Sequence, residues 1–260
     1  MEIAKFVEGL AEKGRYHFTT EEAAKAVGSS YVAARSAIGR LRRKGTIAMP
    51  YRGFNVIVPP EYRRLGCLPP EQFVPQLMGH LGLDYYVGLL SAAEFHGAAH
   101  QRPQVFQVMV SSNRPGIRCG DVRVQFAARH NIGEMPTIKR STPRGYVEIS
   151  SAEVTAFDIV GYVKRCGGLN NAATVLAELV EKLKADKLAR IAQLSPVPWA
   201  QRLGYLVEIV DGKKVAEPLA AYVTRVAKEY VLLNPMEEKK DDERSARWKL
   251  IINDDVEAEA

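Results

Sequence analysis

Between Ser30 and Arg64 stand eight cations and one acid: Arg35, Arg40, Arg42, Arg43, Lys44, Arg52, Arg63 and Arg64 against Glu61. Such a cluster can do two kinds of chemistry. Its ammonium and guanidinium groups can neutralise phosphates as point charges, and an arginine can also pair bidentately with guanine. If residues 29–44 form a helix, a rotation of about 100° per residue sets Ala34, Ile38 and Leu41 on one face. Ser29, Ala33, Ser36, Arg40 and Arg43 take the opposite one. That outward face is small, polar and cationic, which suits a major groove: small residues permit close approach, and hydroxyls and guanidiniums reach base edges. Arg42 and Lys44 at the helix end suit phosphates, which set register without reading sequence. Arg52 falls at the tip of a following hairpin. The residues expected to touch DNA are therefore Ser29, Ser30, Tyr31, Ala33, Ser36, Arg40, Arg42, Arg43, Lys44 and Arg52.

Basic residues near a helix C-terminus also complement its macrodipole, so the cluster must be weighed with the elements that position it. Ile3, Phe6, Val7 and Leu10 recur at helical spacing before Gly14, which predicts a first amphipathic helix. Thr19 followed three residues later by Glu22 forms a capping box that opens a second, short helix ending at Gly28. Ser29 or Ser30 caps a third. The runs Thr46–Met49 and Phe54–Val58 around Pro50-Tyr51-Arg52-Gly53 then read as a wing. Capped helix, tight turn, basic helix and cationic hairpin together spell a winged helix-turn-helix.

The charge is placed accordingly. Residues 1–66 hold 12 Lys+Arg against 6 Asp+Glu, and residues 67–260 hold 24 of each, so the net charge of +6 belongs to the first quarter of the chain. This is the footprint of a nucleic-acid-binding module joined to a neutral partner. Pro59-Pro60 and Pro69-Pro70 bracket a short basic linker, which sets the expected domains at 1–66 and 67–260. Cys67, Cys119 and Cys166 stand far apart without a CxxC pair, which points to a reducing, cytoplasmic setting rather than a disulfide framework. The longest uncharged run, Gln72–Leu83, falls short of the ~18 residues of a membrane span, so no membrane association is expected.

Beyond the linker, helices are expected at Glu71–Leu81, Tyr85–Ala99, Ala152–Arg165, Ala172–Lys184, Lys187–Gln193, Trp199–Val210 and Leu219–Lys228. Strands are expected at Val105–Ser111, Asp121–Ala127, Tyr146–Ile149, Tyr230–Leu233 and Trp248–Ile252. A capping box at Ser150-Ser151-Ala152-Glu153 opens the third of those helices. The fold class is α+β: a winged helix-turn-helix followed by a larger mixed α/β domain.

Catalytic signatures are missing. The chain has no P-loop, GxSxG, HExxH or dinucleotide fingerprint, so neither enzyme activity nor a cofactor is expected. His96 and His100 share a helical face, but Gly97 intervenes and no third ligand stands nearby, so ordinary helix-end histidines are favoured over a metal site. Gly167-Gly168 reads as a helix stop and restart rather than a phosphate cradle. Asp158, on the apolar run "VTAFDIVGYV", must face water or find a structural partner.

An ordered set of segments resembles the AbiEi-like antitoxins of type IV toxin–antitoxin, or abortive-infection, modules. They are the winged-helix opening, "YYVGLLSAAEFHGAAHQRP" at 85–103, "EISSAEVTAFDIVGYVKRCGGLNNAATVLAEL" at 148–179, "QRLGYLVEIV" at 201–210 and "RWKLIIND" at 247–254. The resemblance implies an antiviral-defence protein with two tasks. Its N-terminal domain represses its own operon at inverted repeats in double-stranded DNA. Its C-terminal domain counters a toxin resembling a nucleotidyltransferase, without a stable complex in the family's usual description. Two other classes compete with this expectation. A ligand-responsive winged-helix regulator without a toxin requires an apolar pocket beyond residue 66. A nuclease requires clustered carboxylates and a lysine at a strand end, which "GDVRVQF" does not supply.

Overall fold

The computed structural model describes residues 2–98, 103–238 and 243–257. Two compact units alternate along the chain. The first comprises Met1–Tyr86, Gln104–Ile132 and Lys139–Glu148, and the second Val87–Pro103, Gly133–Ile138 and Ile149–Ala260.

The first unit opens with α1 (Ile3–Glu12), β1 (His17–Thr19), α2 (Thr20–Val27), α3 (Tyr31–Arg43), β2 (Ile47–Tyr51) and β3 (Phe54–Ile57). β3 lies between β1 and β2, antiparallel to both. This is the winged helix-turn-helix expected of the sequence. Ile3, Val7, Phe18, Ala23, Ala24, Ala34, Ile38, Ile47 and Ile57 form its local core, each fully buried large aliphatic or aromatic side chain contributing roughly 1.5–3 kcal/mol. β1 escapes a periodicity reading because three residues are too few to show alternation; Phe18 is buried and the strand pairs with β3.

A second core joins the wing to later strands of the same unit. Ala48, Phe54, Val56 and Val58 pack in one cluster with Cys67, Leu68, Phe73, Leu77, Val108, Val124 and Phe126. The segment between the two proline pairs is therefore anchored, with Cys67 and Leu68 buried and the Leu65 carbonyl accepting from the Asp121 amide at 2.9 Å. Further elements are α4 (Val74–Leu81), β4 (Tyr85–Val87), β5 (Phe106–Val110), β6 (Ile117–Cys119), β7 (Val122–Ala128), β8 (Thr137–Thr142) and β9 (Gly145–Ser150). β7 pairs parallel with β5 and antiparallel with β6. The helix expected at Tyr85–Ala99 begins later than the pattern suggests. Its first residues form β4, with Val87 opposite Ile149 of β9, and the β-prone Tyr-Tyr-Val triplet suits that pairing.

The second unit holds α5 (Leu89–Phe95), α6 (Ala152–Gly161), α7 (Leu169–Leu179), α8 (Ala185–Gln193), α9 (Val197–Ile209) and α10 (Lys213–Val226). β10 (Val231–Leu232), β11 (Arg244–Ser245) and β12 (Leu250–Ile251) close it, with β12 parallel to β10 and antiparallel to β11. α6 touches α5, α7, α8 and α9, and all nine residues from Ala152 to Val160 are buried. A helix enclosed on every side lacks a solvent-facing polar stripe, and the polar side chains it buries must find partners. The capping box expected at its start does not form. Ser151 alone caps, accepting from the Val154 amide at 3.3 Å, while Glu153 accepts from the Lys184 amide at 3.2 Å and Ser150 bonds Thr155 at 2.7 Å. The expected helix 152–165 changes to a 3-10 turn at Val163–Cys166. α10 begins before Pro218 rather than after it, because its buried face of Ala216, Leu219, Ala220 and Val223 outweighs the hydrogen bond that Pro218 forgoes.

Candidate nucleic-acid interface

The turn into α3 is fixed by local chemistry. Thr19 and Glu22 complete the capping box on α2, and Arg15 grips the same Glu22 through two bonds of 2.5 and 2.8 Å. Gly28 ends α2 in the left-handed region at φ 67°, a conformation that favours glycine. Ser30 then caps α3, its hydroxyl accepting from the Ala33 amide at 3.2 Å.

α3 buries only Ala34 and Ile38. Tyr31, Ala33, Ser36, Arg40, Arg42, Arg43, Lys44 and Arg52 are exposed, as is Ser30, and Ser29 is half-buried. The Ser30 hydroxyl is committed to its cap, so it sets the helix start rather than standing free. Ser29, Ala33, Arg40 and Lys44 line one cleft of about 530 Å³ together with Glu2 and Val27. Arg42, Arg43 and Gly39 line another of about 550 Å³ with Met49 of β2 and Gly120 of the β6–β7 turn. Arg52 belongs to neither; it stands at the wing tip. The tip is tighter than expected, a two-residue Arg52-Gly53 turn with Tyr51 directly opposite Phe54 and Gly53 at φ 79°. It is tied to the start of α2, where the Thr20 amide donates to the Gly53 carbonyl at 2.9 Å and the Asn55 amide to the Thr20 hydroxyl at 3.1 Å.

The cations of this surface differ from others in the same unit. Arg144 stacks over the Tyr16 ring at 3.3 Å and donates to Gln72 at 2.8 Å, and Arg15 is paired with Glu22. Arg35, Arg40, Arg42, Arg43, Lys44 and Arg52 have no acidic partner among the described residues. Arg40 and Lys44 even stand four apart, a spacing at which like charges on a helix repel. In the second cleft, Cys119 accepts a hydrogen bond from Cys67. That bond holds the Cys119 thiol below its ordinary range against the effect of burial, with help from Met49 and the Arg42 charge, while Cys67 is pushed up.

One residue of α3 escaped the sequence reading. Val32 is 71% exposed at the outward face, where its rotation places it, an apolar side chain on an otherwise polar face. The other singled-out residues have structural settings. His96 Nε2 lies 2.9 Å from the Ser150 carbonyl, His100 falls outside the described residues, and no group of three or more His, Cys, Asp or Glu fit to hold a metal occurs among the described residues. Gly167 is left-handed at φ 82°, and Gly168 also has a positive φ of 100°, between the 3-10 turn and α7. Asp158 is fully buried on α6. No described helix is long and apolar enough to cross a membrane.

Residues 86–209 match the family model described as the AbiEi antitoxin C-terminal domain. Among solved structures, the chain is similar to the crystal structure of the RV2827C protein from Mycobacterium tuberculosis. The TM-score is 0.70 at 16% identity, over 95% of this chain and 90% of that one. At that identity the likeness shows the fold. No curated protein matches the chain. The match over residues 86–209, just under half of the chain, is to an antitoxin domain and supports an AbiEi-like antitoxin role in a toxin–antitoxin system.

Proposed function

We propose that this chain is a DNA-binding antitoxin that represses its own toxin–antitoxin operon and counters a nucleotidyltransferase-like toxin. Residues 1–66 carry the DNA affinity and residues 67–260 the antitoxic function. The supporting observation is the set of six exposed cations on α3 and the wing tip that have no acidic partner among the described residues. Such charges repel one another until a polyanion neutralises them. α3 enters the major groove, where Ser36, Arg40 and Val32 reach base edges, Val32 by apolar contact with a thymine methyl. Arg42, Lys44 and Arg52 hold phosphates. Two copies on an inverted repeat present two such helices about one helical turn apart.

Fluorescence anisotropy on the promoter duplex tests this. With five or six phosphates neutralised, log K falls against log salt with a slope of about −5, at ~0.9 per contact. Arg40→Ala costs ~1–3 kcal/mol on the operator and far less on mixed-sequence DNA; Arg42→Ala or Arg52→Ala weakens both alike. Binding that is absent or indifferent to salt refutes the reading. Because the wing shares a core with Val108, Val124 and Phe126, separability is best tested in the full chain. The Arg40→Ala/Arg52→Ala variant should lose repression and still rescue growth on co-expression with the toxin.

A further inference from the structure

The basic excess follows packing further than it follows sequence order. The first unit holds 19 Lys+Arg against 10 Asp+Glu, and the second 17 against 20. Seven of the 19 lie beyond residue 66, and two of these form an unusual pair. Arg118 of β6 and Arg123 of β7 stand directly opposite each other in the antiparallel register. Both are exposed, while Ile117, Val122 and Val124 on the other face are buried. Side chains so placed are ~4.5–5.5 Å apart at Cβ, and like charges there destabilise the sheet. Neither arginine has an acidic partner among the described residues. The only acid of the hairpin is Asp121 at its turn.

The hairpin is held beside the α3 surface. β6 lies against β2 of the wing. Cys119, on the opposite face of the strand from Arg118, lines with Gly120 the cleft whose other wall carries Arg42 and Arg43, so the arginine pair flanks that cleft rather than entering it. The turn is pinned at close quarters: a side chain at Gly120 would meet the Leu65 carbonyl at 2.2 Å, and Asp121 donates to that carbonyl. A cost to the fold that no internal partner offsets, kept at a fixed place beside a cationic helix, is what a phosphodiester backbone can offset.

We infer that the Arg118–Arg123 pair is a second phosphate-binding element, which contacts the backbone of the same double-stranded DNA outside the segment read by α3. This rests on the reading of α3 and the wing as a DNA-binding surface. The contact is sequence-independent, so it adds affinity and salt dependence on any duplex and no preference for the operator.

The test uses the full chain and a mixed-sequence 40-base-pair duplex, titrated by anisotropy from 50 to 200 mM salt, with Arg42→Gln as a benchmark. Arg118→Gln/Arg123→Gln should flatten the log K against log salt slope by about 1.8, at ~0.9 per lost contact. The advantage of the unaltered chain is then about tenfold larger at the low-salt end. Arg118→Lys/Arg123→Lys should restore the slope. Arg123→Glu, which sets a carboxylate opposite Arg118, should flatten the slope and raise the melting temperature together. An unchanged slope in the glutamine variant, with Arg42→Gln effective, overturns this inference alone. Failure of the unaltered chain to bind the duplex overturns the DNA-binding reading with it. Loss of affinity in Arg123→Glu accompanied by a lower melting temperature assigns the pair to folding and overturns the inference too.

Discussion

α3 and α6 begin alike and end as opposites. Each opens on a serine whose hydroxyl accepts from the amide three residues on, at 3.2 Å for Ser30 and 3.3 Å for Ser151. Yet α3 buries two of its thirteen residues and α6 nine of its ten. A capping residue states where a helix starts and says nothing about what will surround it. The surroundings follow from the side chains: α3 turns four arginines to water, whereas α6 encloses even Glu153 and Asp158. One helix is free to meet a partner, and the other is where its unit is packed.

The sharpest way to break this contrast is to truncate a core residue of α6. Phe157→Ala should cost ~3–5 kcal/mol of stability by urea unfolding, as a large-to-small core change does, with the DNA affinity of the folded protein unaltered. A cost below ~1 kcal/mol would remove α6 from the packing centre. A smaller, like-for-like comparison substitutes one glycine in each helix. At Gly161 a new Cβ meets the Trp199 ring at 2.4 Å, whereas at Gly39 nothing lies within 4 Å. Gly161→Ala should therefore lose ~1–3 kcal/mol. Gly39→Ala should gain up to ~1 kcal/mol from helix propensity and yet weaken DNA binding, because it thickens the helix beside the groove. Equal signs for the two stabilities would refute the assignment of faces.

The smallest effect is a pH dependence. His17, stacked on Phe54 with ring centroids 5.9 Å apart, is held below its ordinary value of 6.5 by burial first and the Arg15 charge second, against the pull of Glu22. Above pH 6.5 the imidazole is neutral in both states and stability is complete. As pH falls below 6.5 the unfolded chain takes the proton more readily, so stability declines until the folded-state value is passed. Thermal melts from pH 7.5 to 5 should show a decline that His17→Gln reduces. An identical pH profile in that variant would mean that His17 is not so held.

The same contrast explains what could be read in the sequence. The caps, the left-handed Gly28 and the outward face of α3 are local, so Thr19, Glu22, Ser30 and Arg40 announced the helix-turn-helix unaided. β1, of three residues, exists through a partner far along the chain, whereas β6, equally short, pairs with the strand that follows it across the Gly120-Asp121 turn. The alternation in "GDVRVQF" marked β7, and the Gly120-Asp121 turn is local too, but three residues are too few for β6 to show an alternation of its own, so the facing of Arg118 and Arg123 shows only in the register. Val32 was missed for the opposite reason: its position was plain, and its apolar character argued against looking there. In α6 an apolar run signalled burial, while the side chains at Glu153 and Asp158 had their environment set by other helices.

The division of the winged helix between two cores has a consequence for its birth on the ribosome. The core of α1, α2 and α3 uses residues no further along than Ile57, so its contacts are short in sequence and quick to form. The core beneath the wing waits for β5 and β7, whose last residue in that core is Phe126. Synthesis at ~5–20 residues per second puts about 3–14 s between the two. Throughout that interval the nascent chain presents a formed helix-turn-helix with the apolar inner side of its wing uncovered, and it is then that a holding chaperone has the most to grip.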